Sequence, residues 1–404
     1  MGVGFLEKKN ILRQIFKDHW KSFLMKHMGR IRHVVNREVN RMIGCGDEMK
    51  GYTKYCCEAC GESKKVAFTC KSRFCHSCGK IYTDNWIEDF TNRMINAPHK
   101  HLVFTIPEAL REVFLKDRKL LEVMTISAAD TIKGWCIAGN KKEKRVPGMV
   151  CVIHTFGRDL KWNPHVHMMM TMGAIGESGL WKKIDFIPYE MLRKRWETTL
   201  LVNLEKRLGK TKFRELKNKM YKDYTKGFYV YAKGQMKDAR GAARYVGRYM
   251  SRPAIAESRI QGYDGQMVTF WYERHEDGKR VEETITAEEF IAKLIRHIPD
   301  KNFKMVRNYG LYSRNNKHKK LFIKRVDEYK VKALKKLRNW RFRLIQAYKY
   351  DPLSCPKCGE TMKWEGIYHG DGTSLSRNGY NHRKNQNGVW NYELEKKDRE
   401  RKAS

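Results

Sequence analysis

The strongest constraint on the fold of this sequence is a concentration of cysteines near its N-terminus. Seven of the eleven cysteines lie between Cys45 and Cys78. Two Cys-x-x-Cys pairs, Cys57/Cys60 and Cys75/Cys78, are separated by 14 residues, which is typical of a structural zinc site with four thiolate ligands. The N-terminus has no secretory apolar region, so metal binding is favoured over a disulfide framework. We expect these four cysteines to bind Zn²⁺ in a zinc-ribbon module.

Three further cysteines of this region leave alternatives open. Cys56 could replace Cys57 as a ligand, and Cys70 could join Cys45 in a second site. Each of the three could equally be a buried free thiol, and His76 could contribute a nitrogen ligand. Basic residues within the module, among them Lys71 and Arg73, are candidates for contacts with DNA.

A third Cys-x-x-Cys pair, Cys355/Cys358, lies near the C-terminus without a second pair beside it. His369 or His382 could complete a zinc site there. The alternative is a turn that carries two free thiols.

The charge of the chain indicates a polyanionic partner. Lys and Arg number 83 against 45 acidic residues, a formal net charge of +38. Self-repulsion on this scale is usually offset by nucleic acid, although a solvated basic surface is the simpler alternative. Charge alone does not separate DNA from RNA. No stretch approaches about 18 consecutive apolar residues, so we expect no membrane partner and a cytoplasmic, nucleoid-associated protein.

His165 and His167 lie in an apolar run that continues to Gly173 and is typical of a buried strand. Because side chains alternate along a strand, both imidazoles share one face. Two imidazoles on a rigid strand are half of a divalent-metal site, although such a pair also occurs by chance in a core or on a surface. The third ligand cannot be assigned from the sequence. The adjoining methionines indicate core packing.

Tyr245 and Tyr249 are four residues apart in a segment with helical periodicity, so they share one helix face. Arginines recur at every fourth position beside them, which suits binding of DNA phosphates: Arg240, Arg244, Arg248 and Arg252. The alternative is a basic amphipathic helix whose tyrosines pack against a sheet.

The patterns along the chain predict an α+β protein of several parts. These are a basic helical segment (1–44), the zinc module (45–98), a central domain (99–310), a basic helical region with the Cys355 knuckle (311–370) and a mobile tail (371–404). Within the central domain we expect strands near 101–107, 148–156, 164–172 and 228–232, and a hairpin over 268–285 with an Asp277-Gly278 turn.

Several motifs together resemble one known group. They are Cys57-Glu-Ala-Cys-Gly61, Cys70-Lys-Ser-Arg-Phe-Cys-His-Ser-Cys78, Val103-Phe-Thr-Ile-Pro107, Asn163-Pro-His-Val-His167, Tyr245-Val-Gly-Arg-Tyr249 with Arg259-Ile260, Arg307-Asn-Tyr-Gly-Leu311 and Cys355-Pro-Lys-Cys-Gly359. In this order they resemble the rolling-circle insertion-sequence transposases of the HUH endonuclease superfamily, in particular the Tyr-x3-Tyr group with an N-terminal zinc-binding region. His76 departs from the proline usual in that group.

The resemblance implies a central antiparallel sheet flanked by helices, and a reaction on single-stranded DNA of transposon ends and target. His165 and His167 would bind Mg²⁺ or Mn²⁺, and Tyr245 or Tyr249 would form a 5′-phosphotyrosine. Two other classes stay open: a plasmid replication initiator or relaxase with the same chemistry, and a non-catalytic zinc-ribbon DNA-binding protein. The sequence does not predict the oligomeric state.

Overall fold

A computed structural model divides the chain into two compact units, Met1–Tyr82 with Lys336–Ser404, and Thr83–Lys335. It describes residues 10–91, 93–95, 97–139, 141–236, 239–247, 253–274, 276–316, 340–376, 381–384 and 390–393. Antiparallel sheets flanked by helices confirm the α+β prediction. None of the helices in these described ranges is long and apolar enough to cross a membrane.

The first unit combines both ends of the chain. Its elements are helices α1 (Ile11–Lys26) and α2 (His33–Ile43), strands β1 (Gly51–Cys56) and β2 (Ser63–Ala67), the first residues of α3 (His76–Thr91), helix α10 (Trp340–Tyr348) and strands β12 (Lys363–His369), β13 (Thr373–Ser376), β14 (Asn381–Lys384) and β15 (Trp390–Glu393). The sheet order is β15-β14-β13-β12-β1-β2, and the pairs are antiparallel. The central β1–β12 pair joins segments about 300 residues apart, with Gly51 opposite His369.

This unit corrects two predictions. The zinc module is not a consecutive block 45–98, because residues after Lys336 complete its sheet and the unit boundary falls inside α3. The segment 371–404 was predicted to be mobile, yet β13, β14 and β15 lie in it. A polar segment can extend an existing sheet edge because backbone pairing, as of Leu375 with Ile367, does not require a hydrophobic sequence. Of the predicted basic helical region 311–370, residues 317–339 lie outside the described part.

The second unit contains the sheet predicted for the central domain. Its elements are β3 (His99–Phe104), α4 (Glu108–Lys116), α5 (Leu121–Ala138), β4 (Val146–Phe156), β5 (Trp162–Ile175), β6 (Trp181–Lys183), α6 (Tyr189–Leu208), α7 (Lys210–Asp223), β7 (Val230–Met236), α8 (Ala239–Gly247), β8 (Ile260–Tyr263), β9 (Met267–Glu273), β10 (Arg280–Thr286), α9 (Ala287–Ile295) and β11 (Val306–Gly310). The main sheet runs β11-β4-β5-β3-β7, with β6 beside β5.

The pleat of β5 separates the two faces of this sheet. Val166, Met168 and Met170 enter the large core that α5 and α6 cover, which confirms core packing of the methionines. Met169 points to the opposite face, where it packs in a smaller core that includes Val246 of α8. Because His165 and His167 share the parity of Met169, they belong to this second face.

A small sheet of β8, β9 and β10 follows, and its β9–β10 hairpin turns at Asp277-Gly278 as predicted. Gly278 has φ +69°, a left-handed conformation that suits glycine in this turn. Thr286 then begins α9 with a reciprocal capping box to Glu289.

His297, two residues after the end of α9, is buried. This burial lowers its pKa to about 3. Its Nε2 donates to the carbonyl of Leu160 at 3.0 Å, so its Nδ1 accepts from the Thr155 hydroxyl at 3.2 Å in a defined neutral tautomer. Because the folded-state pKa lies below the unfolded value near 6.5, this histidine contributes stability above that value, and the contribution decreases as the pH falls toward 3.

We therefore expect His297→Gln to reduce the loss of stability between pH 7 and pH 5 by about 2 kcal/mol. The measurement is chemical denaturation at both pH values. His33→Gln, at an exposed position, is the control and should leave the pH dependence as in the wild type. An unchanged pH dependence in His297→Gln would contradict the assignment.

Candidate active site and metal centres

Three histidines converge on adjacent strands of the main sheet. His154 of β4 lies directly opposite His165 of β5, and His167 is two residues further along the same face. Their ligand nitrogens all lie within 4.8 Å of one another. The predicted pair is thus brought together with a third histidine that the sequence did not assign. His154 is in a strand predicted from its apolar residues, and only the register of the β4–β5 hairpin places it beside the pair.

Hydrogen bonds define which nitrogens face the centre of this group. The carbonyl of Asn163 can only accept, so His165 Nδ1, 2.7 Å away, carries the proton and Nε2 is left to bind. His165 Nε2 and His167 Nε2 are 3.0 Å apart. An ion with ligands at about 2.1 Å holds neighbouring ligands about 3 Å apart, so the spacing fits a shared metal ion.

A fourth histidine supports the group from behind. His101 of β3 is 1% exposed, and its Nε2 is 3.0 Å from Nδ1 of His167. This contact fixes the ring of His167 with Nε2 toward His165, as outer hydrogen-bond partners of metal ligands commonly do. Sequence reasoning missed His101, although it is the first residue of the strand predicted near 101–107. His99 instead bonds the Tyr312 hydroxyl at 2.6 Å, and burial lowers its pKa to about 4.

Helix α8, which carries Tyr245, lies on the same face of the sheet as the histidines. It packs there through Ala243 and Val246, in a core shared with Val150 and Met169. A Cβ at Gly247, in the middle of the Tyr-Val-Gly-Arg-Tyr motif, would lie 2.5 Å from Cγ1 of Ile87. Glycine therefore permits the close approach of α8 to α3.

The remaining predicted residues of this segment are only partly described. Arg244 is exposed on α8. The backbones of Tyr245 and Arg240 belong to α8, but their side chains lie outside the described part. Three residues lie outside it entirely: Arg248, Tyr249 and Arg252.

The cysteines form two separate groups of four. One consists of Cys45, Cys70, Cys75 and Cys78, and the other of Cys57, Cys60, Cys355 and Cys358; in each, the sulfurs lie within 4.8 Å of one another. The predicted site of Cys57, Cys60, Cys75 and Cys78 is therefore wrong. Cys57 and Cys60 lie in the turn of the β1–β2 hairpin, where they meet Cys355 and Cys358. Cys75 and Cys78 lie instead at the start of α3, beside Cys45 and Cys70.

Cys45 and Cys70 thus do share a site, as one alternative had it. Cys56 belongs to neither group: its sulfur lies near the carbonyls of Cys57 and Gly61. Neither His76 nor His369 completes a group among the described residues, and the side chain of His382 lies outside them.

Backbone N–H groups stabilise the thiolate of one cysteine in each group. The backbone N–H of Cys358 lowers the pKa of the Cys355 thiol to about 6 because it stabilises the anion. In the first group, the backbone N–H of Cys70 donates to Sγ of Cys45 at 3.4 Å. Thiolates held by backbone donors are the species that Zn²⁺ binds.

Two basic residues predicted to contact DNA lie within the first cysteine group. Lys71 is exposed and has a left-handed backbone, with φ 52°. The guanidinium of Arg73 lies 5.7 Å from the centre of the Tyr82 ring. Lys71 is therefore on the surface of the first unit, whereas Arg73 is half-buried.

Comparison with known proteins gives consistent similarities. A family model described as "Transposase zinc-binding domain" matches residues 15–106, and one described as "Putative transposase" matches residues 148–320. The transposase for insertion sequence element IS801 of Pseudomonas savastanoi pv. phaseolicola is 32% identical over 299 residues, which cover 70% of this chain and 71% of that protein. "Putative transposase y4qJ" of Sinorhizobium fredii (strain NBRC 101917 / NGR234) is 28% identical over 66% of this chain and 71% of its own length. No solved structure matches the chain.

If His101 orients His167, then His101→Phe should weaken Mn²⁺ binding by about 10- to 100-fold while preserving the ring volume. The affinity can be measured by electron paramagnetic resonance titration. His99→Phe is the matched control, since His99 is on the same strand but bonds Tyr312. Equal losses in both variants would point to a general defect of the fold and contradict an orienting role.

Proposed function

This chain belongs to the IS91 family of transposases, as the two family models and the IS801 relative show. From that premise we propose that it nicks and rejoins single-stranded DNA at transposon ends through a tyrosine nucleophile. One observation carries the proposal: three histidines with convergent nitrogens share a sheet face with the helix that contains Tyr245. A phosphate held at the histidines and a tyrosine of this helix would then act on the same face of the sheet. The net charge of +38 supports a polyanionic substrate.

His154, His165 and His167 would hold the divalent ion, Mg²⁺ or Mn²⁺. When bound, the ion polarises the scissile phosphate and stabilises the charge that develops on it. Three imidazoles suit Mn²⁺ better than Mg²⁺, because Mg²⁺ prefers oxygen ligands. His101 keeps His167 in the orientation that leaves its Nε2 free to bind.

The proposed reaction exchanges one phosphodiester linkage for another, so the number of ester bonds to phosphorus does not change. The hydroxyl oxygen of Tyr245 or Tyr249 attacks phosphorus, the P–O3′ bond breaks, and a 5′-phosphotyrosine and a free 3′-hydroxyl result. The phenol loses its proton and the departing 3′-oxygen gains one. Attack by a 3′-hydroxyl on the phosphotyrosine reverses the exchange, so rejoining needs no nucleotide cofactor. Two tyrosines would allow two successive strand transfers, each holding a different end.

The sheet edge beside the histidines offers a surface for unpaired bases. His167, Val103 and Tyr231 form one row across β5, β3 and β7, so the tyrosine is about 10 Å from the histidine by strand spacing. The ring of Tyr229, which is 53% exposed, is centred 5.5 Å from that of Tyr231. The guanidinium of Arg193 lies 4.5 Å from the Tyr229 ring centre. Aromatic rings with a cation beside them are a common means of binding single-stranded DNA.

The zinc-binding region would support DNA binding rather than catalysis. Zn²⁺ on Cys45, Cys70, Cys75 and Cys78 has no open position for chemistry, because four thiolates complete a tetrahedral site. Lys71 and Arg73, together with Arg240, Arg244, Arg248 and Arg252 of the tyrosine segment, are the proposed phosphate contacts.

The central experiment incubates the protein with Mn²⁺ and labelled single-stranded DNA of the element's ends, and detects a denaturation-resistant adduct. We expect His165→Ala to reduce the rate of adduct formation by at least about 100-fold, because transition-state charge is no longer stabilised. Tyr245→Phe and Tyr249→Phe identify the attacking residue, and the double variant should form no adduct. Activity with Mn²⁺ should exceed that with Mg²⁺.

Controls separate the competing classes. An adduct that forms at the full rate in His165→Ala would refute the metal assignment, and one in the double tyrosine variant would refute the nucleophile. Binding of DNA without any adduct would instead support a non-catalytic protein. A preference for a plasmid origin over transposon ends would support a replication initiator or relaxase.

Base stacking on the sheet edge predicts that Tyr229→Ala weakens binding of single-stranded DNA by about 5- to 150-fold, or about 1–3 kcal/mol. Fluorescence anisotropy in the presence of EDTA measures binding without cleavage. Tyr229→Phe keeps the ring and should bind normally, and Tyr221→Ala removes an exposed tyrosine of α7 as a second control. If Tyr229→Ala binds as tightly as the wild type, the edge is not a binding surface.

A further inference from the structure

We propose that Cys57, Cys60, Cys355 and Cys358 bind a second Zn²⁺ ion that joins the two ends of the chain into one zinc ribbon. The family model for a zinc-binding domain ends at residue 106 and contains only half of this site. The other half is about 300 residues away in sequence. The inference does not depend on the proposed nuclease function.

The two halves of the site have the same sequence pattern and the same turn hydrogen bonds. Each begins Cys-x-x-Cys-Gly-Glu, at Cys57 and at Cys355. In the first, the N–H of Cys57 donates to the carbonyl of Glu62 at 2.8 Å and that of Gly61 to Cys57 at 2.9 Å. In the second, the equivalent bonds, Cys355 to Glu360 and Gly359 to Cys355, measure 2.8 Å and 3.0 Å.

Glycine occupies the left-handed position of each turn, with φ 73° at Gly61 and 80° at Gly359. A left-handed residue after the second cysteine lets the turn close tightly, so that both sulfurs can point to one centre. Two independent segments with this conformation are therefore two equivalent half-sites.

The sulfur positions fit a metal and not a pair of disulfides. Sγ of Cys57 is 3.4 Å from that of Cys358, and Sγ of Cys60 is 3.5 Å from that of Cys355. A disulfide needs about 2.05 Å, whereas Zn–S bonds of about 2.3 Å in a tetrahedron place sulfurs about 3.8 Å apart. Both of these contacts cross between the two half-sites, and all four sulfurs lie within 4.8 Å of one another, so a single ion would bind both.

The surrounding structure holds the half-sites together. Strands β1 and β12 pair up to Cys56 opposite Lys363, directly beside both turns. Cys57 and Cys355 are buried with Tyr55 and Met362 in a small core of their own. A core of this size cannot stabilise a sheet by much, so the ion would supply a large part of the folding energy of this region.

Zinc content of the purified full-length protein tests the proposal. We expect two Zn²⁺ per chain in the wild type, and one each in Cys355→Ser/Cys358→Ser and in Cys70→Ser/Cys75→Ser. Cys56→Ser, whose thiol is adjacent but in neither group, should retain two. Cys358→His should also retain two, because imidazole is a zinc ligand and this position is exposed. Two ions in Cys355→Ser/Cys358→Ser would overturn the proposal.

A second measurement uses the wild-type protein, so it tests the proposal even if the cysteine variants fail to fold. In the zinc-loaded protein, alkylation followed by mass spectrometry should show Cys57, Cys60, Cys355 and Cys358 protected relative to Cys56, and deprotected together by a chelator. Reaction of Cys355 and Cys358 at the rate of Cys56 would overturn the proposal. Neither result depends on adduct formation with DNA, so failure here and failure of the nuclease proposal are distinguishable.

Discussion

The alternation of side chains along β5 is the constraint on which the second unit depends. Even-numbered residues such as Met168 and Met170 enter the core beneath α5 and α6, and odd-numbered residues point to the other face. A shift of one residue would bury His165 and His167 in an apolar core, at a cost of several kcal/mol for each unpaired polar ring. The buried methionines therefore fix the register of β5, and this register determines the face on which His165 and His167 lie.

The same pairing assembles residues that are remote in sequence. Because β4 and β3 flank β5, His154 and His101 reach the pair from two different strands. His154 can serve as a ligand, whereas His101 contacts Nδ1 of His167 and so supports a ligand. Helix α8 packs on this face through Ala243 and Val246, and Gly247 permits its close approach to α3.

Spacing along the chain predicted the fold class better than it predicted which cysteines share a site. The strands predicted for the central domain and the β9–β10 hairpin follow from local periodicity and turn chemistry, and the structure confirms them. The zinc ligands do not, because two Cys-x-x-Cys pairs 14 residues apart are compatible with one shared site or with two. The first pair lies in the β1–β2 turn, and the pairing of β1 with β12 brings the C-terminal cysteines beside it. The spacing of the N-terminal cysteines contains no information about that long-range pairing.

The sequence by itself determined the chemistry available to this protein: an imidazole pair on a strand, a tyrosine pair with arginines, many thiols and a large positive charge. It determined the α+β class as well, because hydrophobic periodicity is a local property. Only the tertiary structure decided which residues meet, namely His154 with the histidine pair and Cys355 with Cys57. Such meetings depend on strand register and on the pairing of β1 with β12, interactions between segments that local sequence patterns do not connect.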